Sequence, residues 1–188
     1  GTTRRRDLLA MQAELDKGVF DPSLGTPLSS FQAATLGLVG GKALQCWRLS
    51  RHGFPVPCAF VIPTYVYSLH IGAAGVAELI DDLYTSDLKD PTILETAKKN
   101  LQTIRDKIIS TPLNPEAVDN LTEWLKSLDP GSLVAVRSSG SAEDLASQSF
   151  AGQYDTFLYK IELADIVDSI KKCWASMFKD HILDYATR

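Results

Sequence analysis

Arg137 stands at the end of an apolar tetrapeptide, Val134-Ala135-Val136-Arg137, and the polar run "SSGSAEDLASQSFAGQYDTFL" follows it from Ser138 to Leu158. A short apolar run rich in β-branched residues reads as a strand. An arginine at its end projects beyond the sheet, where open α/β sheets take their ligands. The planar guanidinium fork matches the oxygens of a phosphate. Ser138, Ser139, Ser141, Ser147 and Ser149 add hydroxyls, and Gly140 and Gly152 add backbone freedom. Such a loop can fold over an anion as a lid. A blander reading has a plain surface loop, with Arg137 paired to Glu143 or Asp144.

A second anion-binding candidate is Gly40-Gly41-Lys42, read as the start of a helix. Free backbone N–H groups and the helix dipole favour anions at such an end, and a lysine adds a mobile positive charge. The spacing is not that of a P-loop, because Ala43 follows the lysine and the earlier glycine is missing. The alternative is an exposed lysine on an ordinary loop-to-helix turn. The other reactive side chains form no constellation. His52, His70 and His181 lie far apart, and Cys46, Cys58 and Cys173 have no CxxC spacing. All three cysteines read as core residues of a reducing compartment, the cytoplasm or an organelle such as a plastid.

These residues need elements to hold them. The 188 residues suit one domain or a tight pair of subdomains, with 45% hydrophobic and 22% charged content. The net charge of −4 speaks against a broad grip on nucleic acid. No apolar run reaches the ~18 residues that a membrane span needs. Residues 4–17 have helical spacing, and a Gly/Pro/Ser-rich loop follows. A helix is expected from the glycine pair to Gly53, a strand over Cys58–Ile62, and a helix capped by Thr64. Apolar recurrence predicts helices over 75–84, 91–110 and 115–128. A strand is expected over Val134–Arg137, another around Thr156, and one long helix from Glu162 to about Ala186. The order is α+β or α/β, with a mixed sheet and several helices.

Three ordered blocks then carry a resemblance. "LVGGKALQCWRLSRHGFPVPCAFVIPTYVY", "VAVRSSGSAEDLASQSFAGQYDTFL" and "CWASMF" resemble the nucleotide domain of the phosphoenolpyruvate synthase and pyruvate phosphate dikinase family, and rifampicin phosphotransferases share all three. The likeness covers roughly residues 36–185, leaving 1–35 as a helical extension and loop. It implies the first part of an ATP-grasp domain for residues 36–188, with ATP as ligand. By motif position, Lys42 and Arg137 resemble residues that contact the nucleotide phosphates, and Gly152 and Thr156 match positions that line the site. Ala43 and Trp47 depart from the family pattern. The resemblance further implies Mg²⁺ held by a second subdomain, a phosphoryl-carrying histidine on a swivelling domain, and an acceptor domain. None of these is recognisable in this stretch, so the remaining domains of a parent enzyme or a larger assembly are the expected partners. The activity implied is transfer of phosphoryl from ATP to a histidine and on to an acceptor such as pyruvate, with the stretch alone not competent to turn over. The alternative is a non-catalytic structural subunit or adaptor built from half an ATP-grasp domain.

Overall fold

The computed structural model describes residues 26–27, 36–56, 58–138, 156–160, 162–180 and 182–186, with the backbone alone for 26–27, 36–42, 156–160 and 185–186. The element order is β1 (Thr26–Pro27), α1 (Leu36–Arg51), β2 (Phe60–Val61), α2 (Thr64–Ala74), α3 (Ala77–Thr85), α4 (Pro91–Ser110), α5 (Pro115–Lys126), β3 (Val134–Arg137), β4 (Thr156–Lys160), α6 (Leu163–Ala175), a 3-10 turn (Ser176–Phe178) and α7 (Ile182–Ala186). The architecture is mainly helical. Among the described residues the strands form two separate antiparallel pairs, β1 with β2 and β3 with β4, rather than the expected mixed sheet.

Local chemistry accounts for most helix ends. Proline opens α4 and α5, where its missing N–H costs nothing. Asp90 caps α4 by accepting from the backbone N–H groups of Thr92 at 2.8 Å and Ile93 at 3.4 Å. Asn114 does the same for α5 with Glu116 at 2.9 Å and Ala117 at 3.4 Å. Both satisfy donors that a helix start leaves orphaned. The other ends of α1 and α2 use glycine. Gly53 has φ +80° and Gly75 φ +70°. Phe54 N–H then reaches back to Leu49 O at 3.0 Å, and Val76 N–H to Ile71 O at 3.4 Å. This is the glycine-terminated wrap that satisfies the last carbonyls of a helix.

Helix α4 is the hub. Ala97, Leu101, Ile104 and Ile108 form one buried stripe along it. Around them gather Ile71 and Ala74 of α2, Val76, Ile80 of α3, Leu88, Ala175 and Phe178. A second cluster joins Val66 of α2, Ala117 and Leu121 of α5, and Ile166 and Ile170 of α6. Val134 and Val136 pack against this cluster, so α6 covers one face of the β3–β4 hairpin. A smaller cluster seats Leu44 of α1 on Val61 of β2.

Five expectations need correction. Helix α1 begins at Leu36, so Gly40-Gly41-Lys42 lies in its second turn instead of opening it. Thr64 is the first residue of α2, and the cap position belongs to Pro63, which offers no side-chain acceptor. Cys58 is exposed, while Cys173 is buried and Cys46 half-buried; its strand shrinks to Phe60–Val61, just before Pro63, which has no N–H to give a ladder. The long C-terminal helix breaks after Ala175. Phe178 turns into the core around α4. Its carbonyl accepts from Arg105 Nη1 at 2.6 Å, and the same nitrogen lies 3.3 Å from Asp180 Oδ1. A helix continuing through Lys179 would forfeit these contacts; Lys179 is extended instead, at φ −75° and ψ 155°. Arg105→Ala is therefore expected to lower stability by about 1.5 kcal/mol in urea unfolding, the low end for a charged hydrogen bond. The proposed helix over residues 4–17 lies outside the described residues.

Candidate functional site

The β3–β4 hairpin carries two of the residues singled out in the sequence. Its register pairs Val134 with Lys160, Val136 with Phe157 and Arg137 with Thr156. Two residues of β3 therefore span three of β4, an irregularity that bends the strand and sharpens its twist near the end. Alternation along β3 does the rest. Val134 and Val136 are half-buried toward α6, and Ala135 and Arg137 are exposed. Cys173 of α6 lies against this strand, with Sγ 4.0 Å from Val136 O. The apolar side of the hairpin is thus anchored, and the last residue of β3 is left with its guanidinium in solvent.

Among the described residues, nothing accepts a hydrogen bond or forms an ion pair with Arg137. Arg137 lies opposite position 156 in the ladder, at the end of the hairpin from which the connection between the strands departs. Gly152 and the Glu143-Asp144 pair belong to that connection and lie outside the described residues.

Lys42 is carried by a different element. Its backbone sits in α1, about 9 Å along the axis from Leu36 at 1.5 Å per residue. The N–H groups of Gly40 and Gly41 fall beyond the four orphaned donors of the first turn. The free donors of this helix belong to its start at Leu36. Helix α1 and the hairpin share a mechanical link, since Tyr65 of α2 packs against both the Leu44 cluster and the cluster holding Val134 and Val136. Along α1 the Arg51 guanidinium lies 5.3 Å from the Trp47 ring centre.

No group of three metal-ligating side chains gathers among the described residues, and no helix there is long and apolar enough to cross a membrane. Trp124 and Trp174 pack against other aromatic rings. Trp124 meets Phe60 at 5.6 Å and Trp174 meets Tyr67 at 5.7 Å between ring centres. Sequence reasoning left His70 without a role. It is buried at 3% exposure, and its Nε2 lies 2.8 Å from Ile108 O. Burial, with the nearby Lys171 charge adding to it, pushes its pKa down, and the Ile108 bond opposes the shift in part. A histidine in an apolar helical stripe gives little advance sign of this, because the partner is 38 residues away.

Known proteins are similar to this chain. The family model described as "Pyruvate phosphate dikinase, AMP/ATP-binding domain" matches residues 36–188. A protein called probable phosphoenolpyruvate synthase in Staphylothermus marinus is 38% identical over 157 residues, covering 79% of this chain and 18% of that protein. A rifampicin phosphotransferase of Bacillus cereus is 36% identical over 152 residues, covering 80% of this chain and 17% of that one. A phosphoenolpyruvate synthase of Synechocystis is 33% identical over 164 residues, 80% of this chain and 20% of that one. The chain therefore spans about a fifth of the length of the curated relatives it matches. With the match running from the first residue of α1 to the end of the chain, this protein belongs to the pyruvate phosphate dikinase AMP/ATP-binding domain family.

Proposed function

We propose that this chain is the first part of an ATP-grasp nucleotide-binding domain, and that it serves a dikinase-type phosphotransferase. In this reading Arg137 grips ATP phosphates from the end of β3. Thr156 lines the same site across the ladder, Gly152 closes on it from the connecting loop, and Lys42 brings a second positive charge from α1. The observation that carries the reading is the exposed Arg137, opposite Thr156 and without an ionic partner among the described residues. A guanidinium binds a phosphate through strong, two-pronged charge-assisted hydrogen bonds.

ATP fits the positive groups present. Mg²⁺ does not find a ligand set among the described residues, so its ligands would come from elsewhere in the polypeptide or its partners. The names of the relatives, phosphoenolpyruvate synthase and rifampicin phosphotransferase, support a phosphotransferase; in the larger assignment proposed here, phosphoryl passes from ATP to a histidine and then to an acceptor such as pyruvate. Phosphoryl transfer rests on positioning and charge neutralisation. Half of a nucleotide clamp supplies too little of either, so the stretch by itself should bind without turning over.

Calorimetric titration with ATP and Mg²⁺ tests the assignment. Saturable heat with ATP, absent with free ribose, is the expected result. The alternative, a non-catalytic subunit or adaptor, predicts no heat at millimolar ATP either in this chain or in the full-length polypeptide.

A further inference from the structure

We propose that His70 is a proton-operated latch: its neutral ring ties α2 to the end of α4 against Trp174 of α6, and a second ring proton opens that junction. The geometry begins with a backbone vacancy. Ile108 lies in the last turn of α4, and its carbonyl would look four residues ahead for a donor. That residue is Pro112, which has no N–H. His70 fills the gap by donating from Nε2 at 2.8 Å. A carbonyl only accepts, so the proton is on Nε2 and Nδ1 carries the lone pair.

Nδ1 is buried and, among the described residues, has no hydrogen-bond partner. The ring lies 5.1 Å from the Trp174 ring, tilted by 43°. Neutral imidazole suits this setting, because its unpaired side is a weak acceptor against an aromatic surface. The imidazolium places a new N–H donor there with nothing to receive it. The charges around the ring do not rescue it. Lys171 of α6 repels a second positive charge. On α4, Arg105 is engaged with Phe178 O and Asp180, and Lys107 is exposed. On α6, Asp168 is taken by Lys172 at 2.8 Å. Helix α2 holds no charged side chain, and its Tyr67 meets the edge of Trp174. The bond to Ile108 favours the cation, but burial outweighs it.

The direction of the pH effect follows. The native proton affinity of His70 lies below the ordinary value of 6.5, so the opened chain takes up the proton first as pH falls. Stability from this group is complete above pH 6.5 and drains away as pH falls from there toward the depressed native value. In that window the opened population rises by up to about tenfold per pH unit, the limit for one proton.

The test is amide exchange by mass spectrometry across α2 and the last turn of α4, from pH 7.5 to 5, corrected for intrinsic exchange. His70→Gln keeps an N–H donor and does not titrate. Wild type should lose protection there on acidification, and His70→Gln should stay flat. Parallel curves would overturn the latch. A ¹⁵N NMR titration of the imidazoles decides the matter even if His70→Gln fails to fold. As pH falls below 6.5 His70 should hold the Nε2–H tautomer longer than an imidazole with the ordinary value of 6.5. Protonation of His70 at or above pH 6.5 with protection unchanged would sink the proposal.

Discussion

Arg137→Ala is expected to weaken ATP binding by about 10- to 100-fold, the worth of one charge-assisted phosphate contact at 1.5–3 kcal/mol. The side chain is exposed and has no ionic partner among the described residues, so the same change should leave stability within about 0.5 kcal/mol of wild type. That separation makes the variant informative: a loss of affinity with no loss of fold points to direct phosphate contact. Arg137→Lys should recover part of the affinity, since a lysine keeps the charge and loses the two-pronged geometry. Lys42→Ala should cost less than Arg137→Ala, because an ammonium on a flexible stem acts as a point charge. Raising the salt concentration should narrow both differences. Calorimetry on the variants, beside urea unfolding without nucleotide, reads all of this. Equal ATP affinity in wild type and Arg137→Ala would remove the arginine from the phosphate site.

Leu101→Ala carries the largest expected stability effect, about 3 kcal/mol within the 2–5 kcal/mol usual for such truncations. Leu101 is fully buried at the middle of the α4 stripe, between Ala97 and Ile104, which are also buried. Neighbours on α2, α3 and the 3-10 turn would line the resulting cavity. They collapse poorly, because each belongs to an element fixed by its own packing. Leu101→Met, close in volume, should cost less than about 1.5 kcal/mol. Small domains hold roughly 5–15 kcal/mol in total, so the alanine variant should unfold at markedly lower urea. A shift below 1 kcal/mol would mean that α4 is not the hub of the core.

Helices α4 and α5 were legible because their signals are local. Asp90-Pro91 and Asn114-Pro115 combine a side-chain acceptor with a residue that needs no N–H, and apolar residues then recur at helical spacing. Gly53 ended α1 where the sequence placed a stop. The strand at Val134–Arg137 was also readable, as an apolar run with turn residues on both sides. The start of α1 was not. The glycine pair at 40 and 41 read as the helix opening, since glycine costs a helix interior about 1 kcal/mol relative to alanine, yet the helix runs through both from Leu36. The C-terminal region misled in the opposite way. Its apolar spacing is helical throughout, and contacts with α4 override it at Phe178.

The sequence by itself determined helices α4 and α5, which family the three motif blocks resemble, and that Arg137 ends a strand. Those properties rest on capping, periodicity and short-range order, which a chain carries in neighbouring residues. Only the tertiary structure decided that Arg137 stands opposite Thr156, that His70 completes the end of α4, and that Arg105 holds the turn at Phe178. Each of these joins residues 19 to 73 positions apart (137 to 156, 70 to 108, 105 to 178). No local rule specifies such pairs, because they form when separate apolar faces choose their partners and bring distant polar groups within hydrogen-bonding reach.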